Sequence, residues 1–96
     1  NHEGLESIYN EFLQKGFLNE ILLMLDFLNS DEIPSAGRNA MADQLLKNGV
    51  GLTDQQLRYR QNLLKNFGLI ITEKGRAGSR ITEKGKRFLE WELCKK

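Results

Sequence analysis

Cysteine, histidine and proline occur once each in this sequence of 96 residues. The lone Cys94 closes no internal disulfide, so the chain is not a disulfide-stapled secreted scaffold. With no signal-peptide pattern, a reducing cytoplasm is the expected compartment. The one histidine, His2, lies at a terminus where chains fray, and common nucleophile–base triads need a positioned histidine, so no enzyme is expected. One Cys and one terminal His do not make a zinc set, and no metal site is expected. Gly49-Val-Gly51 lacks the third glycine and the preceding strand of a dinucleotide fingerprint, so no cofactor and no small-molecule ligand is expected. Long hydrophobic runs are missing too. The most apolar stretch, Phe17 to Leu28, carries Asn19, Glu20 and Asp26 and is too short to span a bilayer, which excludes a membrane segment.

What remains is an ordinary soluble composition, 40% hydrophobic and 28% charged, at the usual size of a single domain. The net charge of +1 conceals a division along the chain. Residues 1–54 hold three bases against nine acids, a balance of −6, whereas residues 55–96 hold eleven bases against four acids, a balance of +7. Such asymmetry points to nucleic acid or an acidic surface. Two solvated faces of opposite sign, or attraction between sister subunits, would produce it as well.

Leu5, Ile8, Tyr9 and Phe12 recur at helical spacing, which predicts a short amphipathic helix ending near Gly16. A second helix is expected from Phe17 to Asn29, with Leu18, Ile21, Leu22, Leu25 and Leu28 in one stripe and Leu23, Met24 and Phe27 widening it; so broad an apolar surface marks the central core helix. Pro34 makes 29–34 a loop and leaves Ser35 as the expected cap of a helix from Arg38 to Asn48, carrying Met41, Ala42, Leu45 and Leu46 inward until Gly49 stops it. Thr53 and Gln56 match the capping box, so a fourth helix runs from Thr53 to about Phe67, with Gly68 as its stop.

After Gly68 the pattern turns β-branched, and the chain returns through Ser79-Arg-Ile-Thr82 around the tip Lys74-Gly-Arg-Ala-Gly78. A β-hairpin with a basic tip is expected, with Ile71 paired to Ile81 on the buried face. The shared string Ile-Thr-Glu-Lys-Gly at 71–75 and 81–85 is too short to count as a repeat. Thr82 caps a last helix carrying Phe88, Leu89, Trp91 and Leu93. This order is mainly α with a small β-hairpin wing: a winged helix-turn-helix with extra N- and C-terminal helices. Residues 1–16 form an N-terminal extension helix, 17–82 the winged-helix core and 83–96 the C-terminal helix.

If the helix from Thr53 to Phe67 is a recognition helix, its polar face should carry the chemistry. With Leu57 set to zero and about 100° per residue, Gln55, Arg58, Tyr59, Asn62, Lys65 and Asn66 fall between about 80° and 200°, opposite Leu57, Leu63, Leu64 and Phe67. A cationic fork, amides and a phenol suit base edges and phosphates. Arg60 falls inside the apolar arc, where it reaches past the core to a phosphate or pairs with an acid. Lys74, Arg76 and Arg80, followed by Lys84, Lys86 and Arg87, gather cations on and just after the hairpin, as phosphate contact requires.

The run Thr53-Asp-Gln-Gln-Leu-Arg-Tyr-Arg-Gln-Asn-Leu-Leu-Lys-Asn-Phe-Gly-Leu-Ile and the segment Gly-Arg-Ala-Gly-Ser-Arg-Ile-Thr-Glu-Lys-Gly resemble the winged-helix domain named after ribonuclease R. That domain also forms the N-terminal part of nitrogen-regulation repressors of the NrpR type. The resemblance covers about Phe17 to Leu89. It implies that Gln55, Arg58, Tyr59 and Asn62 address DNA and that Arg76 lies on the wing. Gln61 departs from the pattern, standing where such helices place an apolar core residue. The sequence begins without Met, and no effector domain follows Lys96, so the chain reads as a DNA-binding piece or a small regulator without a sensor.

The expected function is therefore that of a sequence-specific double-stranded DNA-binding transcriptional regulator domain, acting as a homodimer. Gln55, Arg58, Tyr59 and Asn62 line the major groove, while Lys65, Lys74, Arg76 and Arg80 bind phosphates. Two alternatives stand beside it: a winged helix used for protein contact and dimerisation, or one that binds structured RNA.

Overall fold

A computed structural model describes residues 2–30, 37–73 and 78–95. Five helices and one hairpin follow each other as α1 (His2–Lys15), α2 (Leu18–Leu28), α3 (Arg38–Lys47), α4 (Asp54–Asn66), β1 (Ile70–Glu73), β2 (Gly78–Ile81) and α5 (Glu83–Lys95). This is the expected mainly helical winged-helix architecture. The helix ends follow from local chemistry. At the end of α4 the Gly68 amide donates to the Lys65 carbonyl at 3.0 Å and the Leu69 amide to the Leu64 carbonyl at 2.9 Å, with Gly68 at φ 76°. That paired bonding satisfies carbonyls the helix leaves open, in a conformation that favours glycine. The same bond pairs close α1 and α3, at Gly16 and Gly49. The α3 start departs from expectation: its N-cap is Gly37, which makes no side-chain cap, while Ser35 lies outside the described residues.

The core runs from end to end of the chain. Phe12, Ile21, Met24, Leu25, Met41, Leu45, Leu57, Leu64, Leu69 and Phe88 are all but fully buried. In α2 the central residues are Ile21, Met24, Leu25 and Leu28, while Leu18 and Leu22 are only partly covered, so the stripe is rotated toward Met24 relative to the one expected. The terminal helices supply much of the aromatic packing. Phe12 meets Phe67 and Phe88 edge-on at 5.3 and 6.2 Å, and Tyr9 meets Trp91 at 5.4 Å. Two leucines break the expected pattern. Leu46 of α3 and Leu93 of α5 are exposed. Leu46 is turned about 100° from buried Leu45, and Leu93 lies in the last turn of α5, at the outer edge of its buried stripe.

The hairpin pairs in an antiparallel register one residue away from the expected one: Ile70 faces Ile81, and Ile71 faces Arg80. Ile70 is 1% exposed and Ile71 50%. Because side chains alternate, the one-residue slip sends Ile71 outward beside Arg80. The slip is decided by what holds the wing base. The Thr82 amide donates to the Leu69 carbonyl at 3.0 Å, the Thr82 hydroxyl donates to the Gly68 carbonyl at 2.6 Å, and the same hydroxyl oxygen accepts from the Gly85 amide at 3.0 Å. Thr82 thereby caps α5, as expected, and fastens it to the end of α4. Gly85 permits the close approach: a Cβ there would press into the Leu69 carbonyl oxygen and lie 2.7 Å from Ile81 Cγ1.

Candidate nucleic-acid interface

The recognition-type helix α4 begins with the capping box its sequence predicts. The Gln56 amide donates to the Thr53 hydroxyl at 3.1 Å, and the Thr53 amide donates to the Gln56 side-chain oxygen at 2.9 Å. Two donors left open by any helix start are satisfied reciprocally, and the helix axis is anchored where the preceding turn delivers it. Leu57 and Leu64 are buried, Leu63 and Phe67 partly so. Gln55, Arg58, Tyr59, Asn62, Lys65 and Asn66 are all exposed on the helix between them.

Two side chains on this face, and Arg80 on the hairpin, have partners within the molecule. Arg58 Nη2 lies 3.3 Å from Asp54 Oδ2, and both side chains are more than half exposed. Such a surface pair contributes up to about 1 kcal/mol, so an incoming anion can displace the carboxylate. Tyr59 is half-exposed, with its ring edge-on to Phe17 at 5.9 Å. Arg80 stands exposed on β2, with an interaction of its own. Lys74 and Arg76, expected at the wing tip, lie outside the described residues. Lys84, Lys86 and Arg87 are exposed in the first turns of α5, and the Lys84 stem passes beside Gly68 at the end of α4. Of the three only Lys84 lies in the first turn, where the helix dipole disfavours a cation by a few tenths of a kcal/mol; Lys86 and Arg87 lie in the second.

Arg60 resolves as a buried ion pair. It is 7% exposed, its Nη2 lies 3.6 Å from Glu20 Oε1, and its Nη1 donates to the Gln56 carbonyl at 2.9 Å. Its guanidinium carbon stands 4.0 Å over the Phe17 ring, while Nε is buried with no partner. Of the two roles open to it, pairing with an acid is the one realised. The sequence shows Glu20 only as a charge within the apolar stretch of α2 and does not pair it with Arg60, although an acid in the apolar surface of α2 and a base in that of α4 are natural partners. Gln61 is likewise buried, a polar side chain in a core position.

Among the described residues there is no group of three His, Cys, Asp or Glu side chains able to hold a metal, and no helix is long and apolar enough to cross a membrane. Cavities among the described residues include a shallow polar site on α1 around Glu6, Asn10 and Gln14, and a groove of about 360 Å³ between α2 and α5, floored by Leu22, Leu23, Leu89 and Leu93 and edged by Asp26 and Glu90.

No curated protein and no solved structure matches the chain. The model of one family, the ribonuclease R winged-helix domain, matches residues 21–89, from the middle of α2 to the second turn of α5. That span contains the capped helix, the hairpin and Thr82. Winged-helix domains typically bind nucleic acid and are generally non-catalytic, and this chain presents an exposed polar helix face beside a hairpin. Fold, element order and matched span agree, and the chain belongs to the ribonuclease R winged-helix domain family.

Proposed function

We propose that this domain is a sequence-specific double-stranded DNA-binding module of a transcriptional regulator. In this reading α4 enters the major groove, where Gln55, Arg58, Tyr59 and Asn62 meet base edges. Lys65, Arg80, Lys74 and Arg76 hold phosphates along the backbone. The observation that carries the proposal is the uncovered outward face of α4, with a guanidinium, a phenol and two amides presented by a helix capped at its start and pinned from within. The exposed cations Lys84, Lys86 and Arg87 that open α5 support it, because a phosphate backbone attracts such a cluster.

The resemblance to nitrogen-regulation repressors favours repression as the regulatory outcome and a cytoplasmic setting. Two copies acting on half-sites about one helical turn apart complete the reading. The apolar faces of α1 and α5 are spent largely on the domain's own core, so a second copy must use other surface.

A salt titration against duplex DNA of a selected sequence, a random duplex pool and duplex RNA tests the proposal. The expected result is binding to both DNA samples, tighter for the selected one, weakening steeply with salt. Tight binding to RNA alone would transfer the assignment to structured RNA. Absence of binding to all three would leave a protein-contact module. Sedimentation equilibrium with and without DNA checks the second copy, which a monomer on a half-site would exclude.

A further inference from the structure

We infer that Arg60, Glu20 and Phe17, none of them on the outward face of α4, are the positioning residues that set where Tyr59 stands in the proposed DNA interface. This inference rests on the reading of α4 as the recognition helix. The chain of contacts is short. Phe17 caps α2, and its backbone is held at both ends: its amide donates to the Phe12 carbonyl at 3.0 Å, and its carbonyl accepts from the Ile21 amide at 3.0 Å. The Arg60 guanidinium stacks on the Phe17 ring at 4.0 Å, and Tyr59 abuts the same ring edge-on at 85°. Glu20, one turn into α2, draws the guanidinium from the side at 3.6 Å. One aromatic ring thus carries a buried cation and an exposed phenol that are neighbours in sequence.

Arg60 is poorly suited to a purely stabilising role. A buried ion pair recovers its desolvation cost only with close geometry and every donor used. Here the separation is 3.6 Å and Nε has no partner. An apolar side chain of similar length would fill the same space at no greater cost. What an apolar chain cannot supply is direction, since a planar cation over a ring face, tied to one carboxylate and one carbonyl, fixes the rotation of α4 against α2. Rotation of that helix moves Tyr59 relative to a groove floor. Arg60 and Glu20 therefore govern sequence discrimination without touching nucleic acid.

The test compares Arg60→Met with the parent domain in three measurements: thermal unfolding, NMR cross-relaxation between the Tyr59 and Phe17 rings, and binding to a selected duplex against a scrambled one across a salt series. Expected are an unchanged or raised Tm, loss of the Tyr59–Phe17 signal, and a discrimination ratio lowered about tenfold, within the range of one base contact. The log–log salt slope should stay unchanged, because no phosphate contact is lost. A slope reduced by about one would mean that Arg60 reaches a phosphate, and would overturn the inference. So would a retained ring-to-ring signal, unchanged discrimination, or a sharp fall in Tm with folding intact. If Arg60→Met does not fold, Glu20→Gln keeps the acceptor oxygen and removes its charge, and the same ring signal and ratio decide. A parent domain with no preference among duplexes would defeat the DNA reading instead, and the ring signal would still judge the positioning role separately.

Discussion

Gly85→Ala and Gly4→Ala make the same chemical change at the third residue of α5 and of α1, yet they should move stability in opposite directions. Around Gly4 nothing lies within 4 Å of an added Cβ. There alanine gains only its helix propensity, about 0.5–1 kcal/mol, less whatever fraying at the chain end removes. At Gly85 the added carbon would lie 2.7 Å from Ile81 Cγ1, where ordinary contact begins at 3.4 Å, and it would also press on the Leu69 carbonyl oxygen. A gap of at least roughly 0.7 Å, the difference of those two distances, must open at Ile81 and more at the nearer Leu69 carbonyl, which cannot yield freely because it accepts the Thr82 amide that holds the wing base. Overpacking of this kind costs up to about 3 kcal/mol, and the propensity gain returns about 1, leaving a net loss near 2 kcal/mol. For a domain of this size that is a fall in Tm of about 8–16 °C, against a rise of up to about 8 °C for Gly4→Ala. Calorimetric melts of the two variants beside the parent read both numbers. A Tm for Gly85→Ala equal to or above that of the parent would refute the close approach of α5 to the hairpin. Because the displaced element is the wing base, duplex affinity should fall at temperatures where the variant is still folded.

The hairpin register predicts that Ile70→Ala costs about 2–5 kcal/mol while Ile71→Ala costs under 1; equal losses in urea melts would restore the pairing of Ile71 with Ile81. Thr53→Ala should remove about 1 kcal/mol through loss of the capping box, and amide exchange should quicken at Gln56; an unchanged exchange rate there would contradict the cap. For the proposed interface, Arg80→Ala should lower affinity for all duplexes alike and flatten the salt slope by about one, whereas Arg58→Ala should also erode sequence preference. Identical losses and slopes for the two variants would undo the division between phosphate and base contacts.

Much of the α4 surface could be read in advance, since exposure there follows from 3.6-residue periodicity and a single well-capped start. Gln55, Arg58, Tyr59, Asn62 and Lys65 are exposed as that rotation requires. Arg60 was conspicuous for the same reason, as a charge on the wrong side, but its partner is forty residues earlier in the chain. No periodicity links α4 to Glu20; only the fold that brings the start of α2 beside α4 does. Leu46 and Leu93 mark a second limit. Hydrophobicity placed both in apolar segments, whereas the narrow contact of α3 and the outer position of α5 leave them in solvent.

Pattern and composition showed the existence of a hairpin and the division of charge between the two halves; beyond these, what the sequence by itself determined is whatever closes within three to five residues: the glycine stops at 16, 49 and 68, the Thr53–Gln56 box and the Thr82 cap. These are backbone hydrogen bonds and conformational preferences with all partners close at hand. Tertiary structure alone decided that Ile70 rather than Ile71 turns inward, that Arg60 meets Glu20 across Phe17, and that the first and last helices share one aromatic core. Each is a choice between locally equivalent alternatives. A neighbour brought in from a distant part of the chain settles it, because the free-energy difference lies in burial and pairing rather than in the backbone itself.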